Sequence, residues 1–298
     1  MKEKLQRFIT AFKMNGEVKK KTLSALIALV AVIAIIILLI CLKPADTTPD
    51  APVDDVPVGP DYSDRVEPDP IVEPEGMAAT FEKYPDVYAW LYIPGTAEAL
   101  SIPEDTSLPV AQHPTERLFY LDRDLDGNKT KEGTIFAEAT VNDKYINGRD
   151  LNDPVTVLYG HNMANRTMFG GLQSFLKSMD FSQENLIYMY QEGRRVTYQI
   201  VGGVQYDLSH IIYYHDFNDE QVFNDFFTQL WKETDSTTNL DGANKPVAGD
   251  KVLILSVCKN GDDNHRYLIV AKMIEDTADP STWAIVETAE DVPAADGE

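Results

Sequence analysis

The sequence predicts a mainly β domain, a barrel or a sandwich with peripheral helices, preceded by a single transmembrane helix. Three observations predict this class. Segments rich in β-branched and aromatic residues recur along the chain and are bounded by Gly, Pro, Asn or Asp. Only two or three segments show the apolar period of a helix. A single long apolar run lies near the N-terminus. The chain has 298 residues, so core size is not limiting. Its net charge of -22 argues against nucleic-acid binding, which needs a Lys/Arg surface.

The transmembrane helix is predicted for residues 23–42, LSALIALVAVIAIIILLICL, where only Ser24 is clearly polar. At 1.5 Å per residue, a helix of this length spans the roughly 30 Å apolar layer of a bilayer. Basic residues precede the run and aspartates follow it. The positive-inside rule therefore places residues 1–22 in the cytoplasm and the rest of the chain outside the cell membrane. A cleaved signal peptide is the alternative, but its apolar region would be shorter, and LLICLKP offers no small-residue cleavage site.

Residues 43–76 predict an extracellular linker, because this stretch holds eight prolines and ten acidic residues. Such a composition cannot bury enough apolar surface to fold alone, and proline together with like charge favours an extended chain. The folded domain is predicted for residues 77–275. Residues 276–298 form an acidic C-terminal tail.

Eight strands and three helices are predicted in the folded domain. The strands, in chain order, lie within VYAWLYIPGT, LPVAQ, GTIFAEA, PVTVLYGH, NLIYMYQ, RRVTYQIVGGVQYDL, KVLILSVC and RYLIVAKMI. A short helix at MAATFEK leads into the first strand. In TMFGGLQSFLKS and DEQVFNDFFTQLWKET the apolar residues recur on one helical face.

Cys258 is the only cysteine outside the predicted anchor, which contains Cys41. An exported domain with one cysteine cannot form an internal disulfide. Because an exposed thiol is liable to oxidation, we expect this cysteine to be either buried or functional. It ends one predicted strand, and Arg266 opens the next after the polar, turn-rich segment KNGDDNH. If the two strands are antiparallel neighbours, Cys258 and Arg266 lie side by side. The guanidinium of an arginine can stabilise a thiolate or a developing oxyanion there.

His161 is the best candidate for a proton shuttle, because it follows the buried-type strand PVTVLYG directly. Taken singly, each candidate is more often a structural residue than a catalytic one. A lone cysteine usually packs in the core, a histidine is often partly buried, and an arginine on a strand usually faces solvent. The combination with export and no disulfide partner favours a catalytic cysteine. Weaker candidates are the other four histidines: His113, His210, His215 and His265.

These segments resemble the sortases, the membrane-anchored transpeptidases of Gram-positive bacteria. YGHNM, MFGGL, and LILSVC followed by a strand-opening arginine carry the resemblance. WLYIPGT, LPVAQ, FYLDRDLDG and GTIFAE are similar to the N-terminal strand region of class B. The likeness covers about residues 85–275.

The resemblance implies an eight-stranded sortase β-barrel with added N-terminal helices and a helix before the cysteine strand. It implies Cys258 as nucleophile, His161 as general acid/base and Arg266 as the group that holds the substrate or oxyanion. The implied substrates are surface proteins with a C-terminal sorting signal. The implied acceptor is an amine of a peptidoglycan precursor or a pilin lysine. No metal and no cofactor are implied.

The sequence departs from the family at Ile254 and Val257, which replace the two threonines of the usual Thr-Leu-x-Thr-Cys motif. Asp262 and Asp263 lie in the short Cys–Arg connection; one of them could orient His161 or Arg266, but a solvated turn explains them better. Two other classes stay open: an L,D-transpeptidase or another exported cysteine hydrolase, and an inactive anchored binding module. L,D-transpeptidases carry an arginine two residues after the cysteine, and here that position is Asn260.

Overall fold

The structure is a computed structural model, and it describes residues 61–138, 147–177, 179–233, 235–259 and 262–285. At positions 258, 259, 262 and 263 it describes the backbone only. The predicted cytoplasmic tail, the predicted membrane anchor and most of the linker lie outside the described residues, as does the chain after residue 285. Within the described ranges, no helix combines the length and the apolar character that crossing a bilayer requires.

The described residues form one sheet of nine strands: β1 (Val87–Ile93), β2 (Thr106–Ala111), β3 (Ile135–Phe136), β4 (Val155–Gly160), β5 (Leu186–Gln191), β6 (Arg194–Tyr206), β7 (Asn239–Leu240), β8 (Val252–Lys259) and β9 (Asp262–Asp276). Neighbours follow the order β5-β1-β2-β3-β4-β8-β9-β6, and β6 pairs with β5 again. This closes a barrel of eight strands, so the eight-stranded barrel implied by the resemblance is confirmed. β7 lies outside the ring as a two-residue edge strand on β6.

Five short helices accompany the barrel within the described ranges: α1 (Met77–Lys83), α2 (Thr96–Leu100), α3 (Leu172–Lys177), α4 (Ile211–Tyr214) and α5 (Glu220–Leu230). The helix predicted before the cysteine strand is α5. Its N-cap is Asp219, whose carboxylate accepts hydrogen bonds from the backbone N–H groups of Gln221 and Val222. The sequence pattern missed α2, α4 and β7, because elements of two to five residues are too short to show a period.

Two apolar layers lie on opposite faces of the barrel wall. The interior layer includes Leu253, Leu255 and Val257 of β8, whereas Val252 and Ile254 of the same strand belong to an outer layer that packs against α4 and α5. Both faces of β8 are therefore buried. This burial explains why the strand reads as a continuous apolar run with no alternation.

The two ends of the described chain meet on the surface of the barrel. Arg65 forms an isolated β-bridge with Ile285, and its guanidinium donates to the Trp283 carbonyl at 2.8 Å. Asp276, the last residue of β9, is buried and accepts two hydrogen bonds from Arg194, at 2.9 and 2.6 Å. These contacts lie on both sides of the predicted boundaries at residues 76 and 275, which remain sequence-based predictions.

Candidate active site

Three neighbouring strands bring the predicted site residues to one end of the barrel. β4 and β8 are parallel with Gly160 opposite Val257, so His161 and Cys258 occupy the next positions along the two chains. β9 runs antiparallel to β8 and places Arg266 opposite Cys258. His161, Cys258 and Arg266 therefore form one row across adjacent strands, which are spaced by about 4.8 Å in a β-sheet.

The row belongs to the outer face of the barrel wall. Tyr159, two residues before His161, packs against the outer apolar layer, and Leu268, two residues after Arg266, is a member of it. By strand alternation, position 258 lies on the same face of β8 as Ile254. His161 and Arg266 are half-buried, so the row marks the place where this covered face opens to solvent.

A backbone carbonyl orients the imidazole of His161. The Nε2 atom lies 2.7 Å from the Leu121 carbonyl oxygen, in a short 3₁₀ turn formed by residues 119–121. A carbonyl oxygen can only accept a hydrogen bond, so Nε2 carries a proton in this arrangement. In the neutral ring, Nδ1 is then the nitrogen that is able to take up a proton. The turn thus fixes both the position and the tautomer of His161.

Gly133 leaves room for the Leu121 carbonyl because it has no side chain. Its φ of +60° lies in the left-handed region, and a Cβ atom there would stand 2.5 Å from the Leu121 oxygen and 2.6 Å from the Tyr120 oxygen. Any side chain at this position would therefore displace the turn that holds His161.

The substitution Gly133→Ala is expected to lower both stability and activity. Backbone strain at such a position costs about 1–3 kcal/mol, and the collision with the two carbonyl oxygens adds to it. Displacing His161 should reduce turnover by roughly tenfold to a hundredfold. The matched control is Gly193→Ala, where φ is +66° but no atom lies within 4 Å of the added Cβ. Urea unfolding and turnover measure both effects, and equal behaviour of the two variants would contradict the role of Gly133.

Polar and charged groups lie close to Tyr159 at the end of the outer apolar layer. Burial and the nearby Glu138 carboxylate raise the pKa of Tyr159 well above its usual value, so the phenol stays protonated. Arg266 and Arg117 act on the same pKa in the opposite direction, which places both guanidinium groups in the electrostatic neighbourhood of Tyr159. Glu138 was not singled out from the sequence. A carboxylate two residues after a short apolar segment gives no signal there, and only its burial in the fold distinguishes it.

The two departures from the family's cysteine motif are both core residues. Val257 packs inside the barrel, and Ile254 belongs to the outer apolar layer. A hydroxyl at position 257 would point into the barrel interior rather than toward the row. Ser256, which is 4% exposed, is the residue that shares the face of position 258 by strand alternation.

The remaining histidines lie away from the row or beside it without entering it. The Nδ1 atom of His113 accepts hydrogen bonds from the Thr115 and Glu116 backbone N–H groups, so it closes a turn. His215 donates from Nδ1 to the Ile211 carbonyl at 3.0 Å.

The other two histidines lie nearer to the row. His210 contacts Glu138, and His265 lines an open cavity of about 700 Å³ between the end of β6 and α5. Tyr206, the register partner of Arg266, also lines this cavity, whereas His161 and Arg266 do not.

Comparison with known proteins identifies similar chains. No protein-family model matches the sequence. The curated sortase B of Listeria monocytogenes is 25% identical over 193 residues, which cover 63% of this chain and 70% of the relative. The sortase B of Staphylococcus aureus is 24% identical over 192 residues, covering 64% of this chain and 71% of the relative.

Solved structures share the fold. The crystal structure of Clostridium perfringens sortase B superposes with a TM-score of 0.52 at 25% identity, covering 66% of this chain and 99% of that structure. A complex of Staphylococcus aureus sortase B with a substrate gives a TM-score of 0.50 at 24% identity, covering 66% of this chain and 84% of that structure. With the curated relatives, these similarities point to a class B sortase and therefore to a cysteine transpeptidase.

Proposed function

We propose that this protein is a membrane-anchored sortase that cleaves the C-terminal sorting signal of surface proteins and transfers the acyl half to an amine. The proposal rests chiefly on the row formed by His161, Cys258 and Arg266 on adjacent strands. A thiol, a proton carrier and a fixed cation at one end of a barrel are the groups that acyl transfer requires.

In the first half-reaction, the Cys258 thiolate attacks the carbonyl carbon of the scissile peptide bond. Arg266 stabilises the oxyanion that develops, because its planar fork carries a permanent positive charge. The C–N bond then breaks, and the leaving amine takes a proton from the His161 imidazolium. The product of this step is a thioester between Cys258 and the acyl half of the surface protein.

In the second half-reaction, an acceptor amine attacks the thioester carbonyl. A new amide bond forms, the C–S bond breaks, and Cys258 leaves as a thiolate. The proton lost by the amine passes to His161, which returns the histidine to its starting state. Microscopic reversibility places the acceptor amine where the leaving amine stood, on the His161 side of the row.

The proposed donors are surface proteins bearing a C-terminal sorting signal. The proposed acceptors are a peptidoglycan precursor or a pilin lysine. The existence of a substrate complex of Staphylococcus aureus sortase B, which shares this fold, supports a peptide-type donor in general. Extracellular location follows from the proposed anchor at residues 23–42 and is tested by protease accessibility of the domain on intact cells.

A peptide library tests the function directly. The full chain in detergent is incubated with peptides of varied sequence and with an amine acceptor, and products are identified by mass spectrometry. The expected result is cleavage at one bond, an acyl-enzyme adduct on Cys258, and an amide product that contains the acceptor. Cleavage without any adduct on Cys258 would contradict the proposed mechanism.

A further inference from the structure

A buried carboxylate, Glu138, lies just after β3 and contacts Tyr159 on the strand that precedes His161. Its side chain is 1% exposed. The Gln112 amide donates to the Glu138 carbonyl at 3.0 Å and to the Asn147 carbonyl at 2.8 Å, so the backbone at this position is fixed as well. A buried carboxylate is costly unless cations and hydrogen-bond donors surround it, so its partners define what the group does.

Among the described residues, three side chains reach Glu138 from distant parts of the chain. Arg117 places Nε 3.6 Å from Oε1, and His210 places Nδ1 2.7 Å from the same oxygen. The His210 contact is short but lacks the orientation of a regular hydrogen bond. The Tyr159 hydroxyl donates weakly to Oε2 at 3.5 Å.

Two of these partners are linked to His161 and the third to a neighbouring segment. Arg117 begins the stretch that leads to Leu121, whose carbonyl holds the His161 ring. Tyr159 lies two residues before His161 on the same face of β4. His210 precedes α4, and the Arg117 guanidinium lies 5.4 Å from the centre of the Tyr213 ring in that helix. Glu138 therefore ties both flanking segments to the strand that carries the proposed proton shuttle.

We propose that Glu138 is a positioning residue that holds the segment of Arg117–Leu121 and the segment of His210–Tyr214 at a fixed separation over β4, so that the donor peptide binds between preformed walls. The inference rests on the proposed function. In the part of the chain that the structure describes, the side-chain contacts of Glu138 are with Arg117, His210 and Tyr159. Its effect reaches the reaction through Arg117, His210 and Tyr159, and it should therefore appear in donor binding more than in turnover.

The test is the isosteric substitution Glu138→Gln, which keeps the shape and removes the negative charge that faces Arg117 and His210. We expect the KM for the donor peptide to rise about tenfold, with kcat changed less than about threefold, because walls that are no longer fixed weaken binding of substrate and transition state alike. The matched control is Glu275→Gln. Glu275 also forms an arginine ion pair, with Arg195 at 2.9 Å, but it lies toward the far end of β9.

A second measurement does not depend on the enzymatic activity. Amide hydrogen exchange should become faster in residues 117–121 and 208–214 of the Glu138→Gln protein and stay unchanged there in the Glu275→Gln protein. A His210→Gln variant should reproduce part of the KM effect. Its combination with Glu138→Gln should be less than additive, since both changes remove the same link.

The outcomes separate the possibilities. An unchanged KM with unchanged exchange would overturn the positioning role. A loss of kcat at constant KM would also overturn it, because Glu138 would then act on the chemical step. If wild-type protein cleaves no peptide but the exchange difference appears, the proposed function fails while the fixing of the two segments stands. Uniformly faster exchange over the whole barrel would reduce Glu138 to a general stabilising residue.

Discussion

Replacement of Cys258 by alanine is expected to abolish acyl-enzyme formation and peptide cleavage while leaving the barrel folded. No other thiol exists in the chain outside the predicted anchor, so no neighbouring group can form the thioester in its place. The change removes a single sulfur atom, and its stability cost should be modest, on the order of 1 kcal/mol. Intact-protein mass spectrometry detects the adduct, and peptide cleavage is followed by chromatography.

The appropriate control is Cys258→Ser, which retains a small polar group of similar size but a far weaker nucleophile at neutral pH. Both variants should show the circular dichroism spectrum and the melting temperature of the wild type to within a few degrees. Residual cleavage by Cys258→Ala at a rate comparable to wild type would show that Cys258 is not the nucleophile. The row on β4, β8 and β9 would then be a structural coincidence.

Replacement of Arg266 by lysine is expected to lower turnover by about two orders of magnitude. Lysine keeps the positive charge but loses the planar, bidentate donor. Loss of one preorganised donor to an oxyanion typically costs about 10²–10³ in rate, or roughly 3–4 kcal/mol of transition-state stabilisation. The melting temperature should change little, because Arg266 is half-buried at the open end of the outer face.

Arg195→Lys is the matched control, since Arg195 is a partly buried arginine of β6 that pairs with Glu275 far from the row. It should leave turnover unchanged. If Arg266→Lys works within a factor of about three of wild type, a difference below 1 kcal/mol, then Arg266 serves only as a strand residue. Cys258 and His161 would remain as a pair without a third member.

Much of the architecture is readable from the sequence because local chemistry specifies it. All eight predicted strands occur in the barrel, since β-branched and aromatic segments bounded by turn residues suit a pleated, half-buried surface. The periodic apolar faces of α3 and α5 were equally informative. The residue pattern does not distinguish a barrel from a sandwich, because alternation along a strand does not show which strands are its neighbours.

The candidate site was predicted in part. Adjacent placement of Cys258 and Arg266 follows from a hairpin, which is local in the chain, and the register of β8 and β9 agrees with it. The position of His161 beside them depends on the parallel pairing of β4 and β8, which joins segments almost a hundred residues apart. The resemblance to sortases implies a role for His161, but no local pattern predicts that pairing.

Glu138 shows what no sequence pattern could supply. Its partners at positions 117, 159 and 210 come from a loop, a strand and a helix start, and no spacing in the chain connects them. The same applies to the carbonyl of Leu121, since every residue carries a carbonyl and only the tertiary structure selects the one that orients His161.

By itself, the sequence determined the β-rich class, the strand segments, the predicted anchor and the single thiol outside it, because residue chemistry and local periodicity are properties of neighbouring positions. The tertiary structure decided the closure of the barrel, the row of three site residues and the burial of Glu138 among its partners. These features depend on contacts between segments distant in the chain. Such contacts form only when long-range strand pairing offsets the loss of chain entropy.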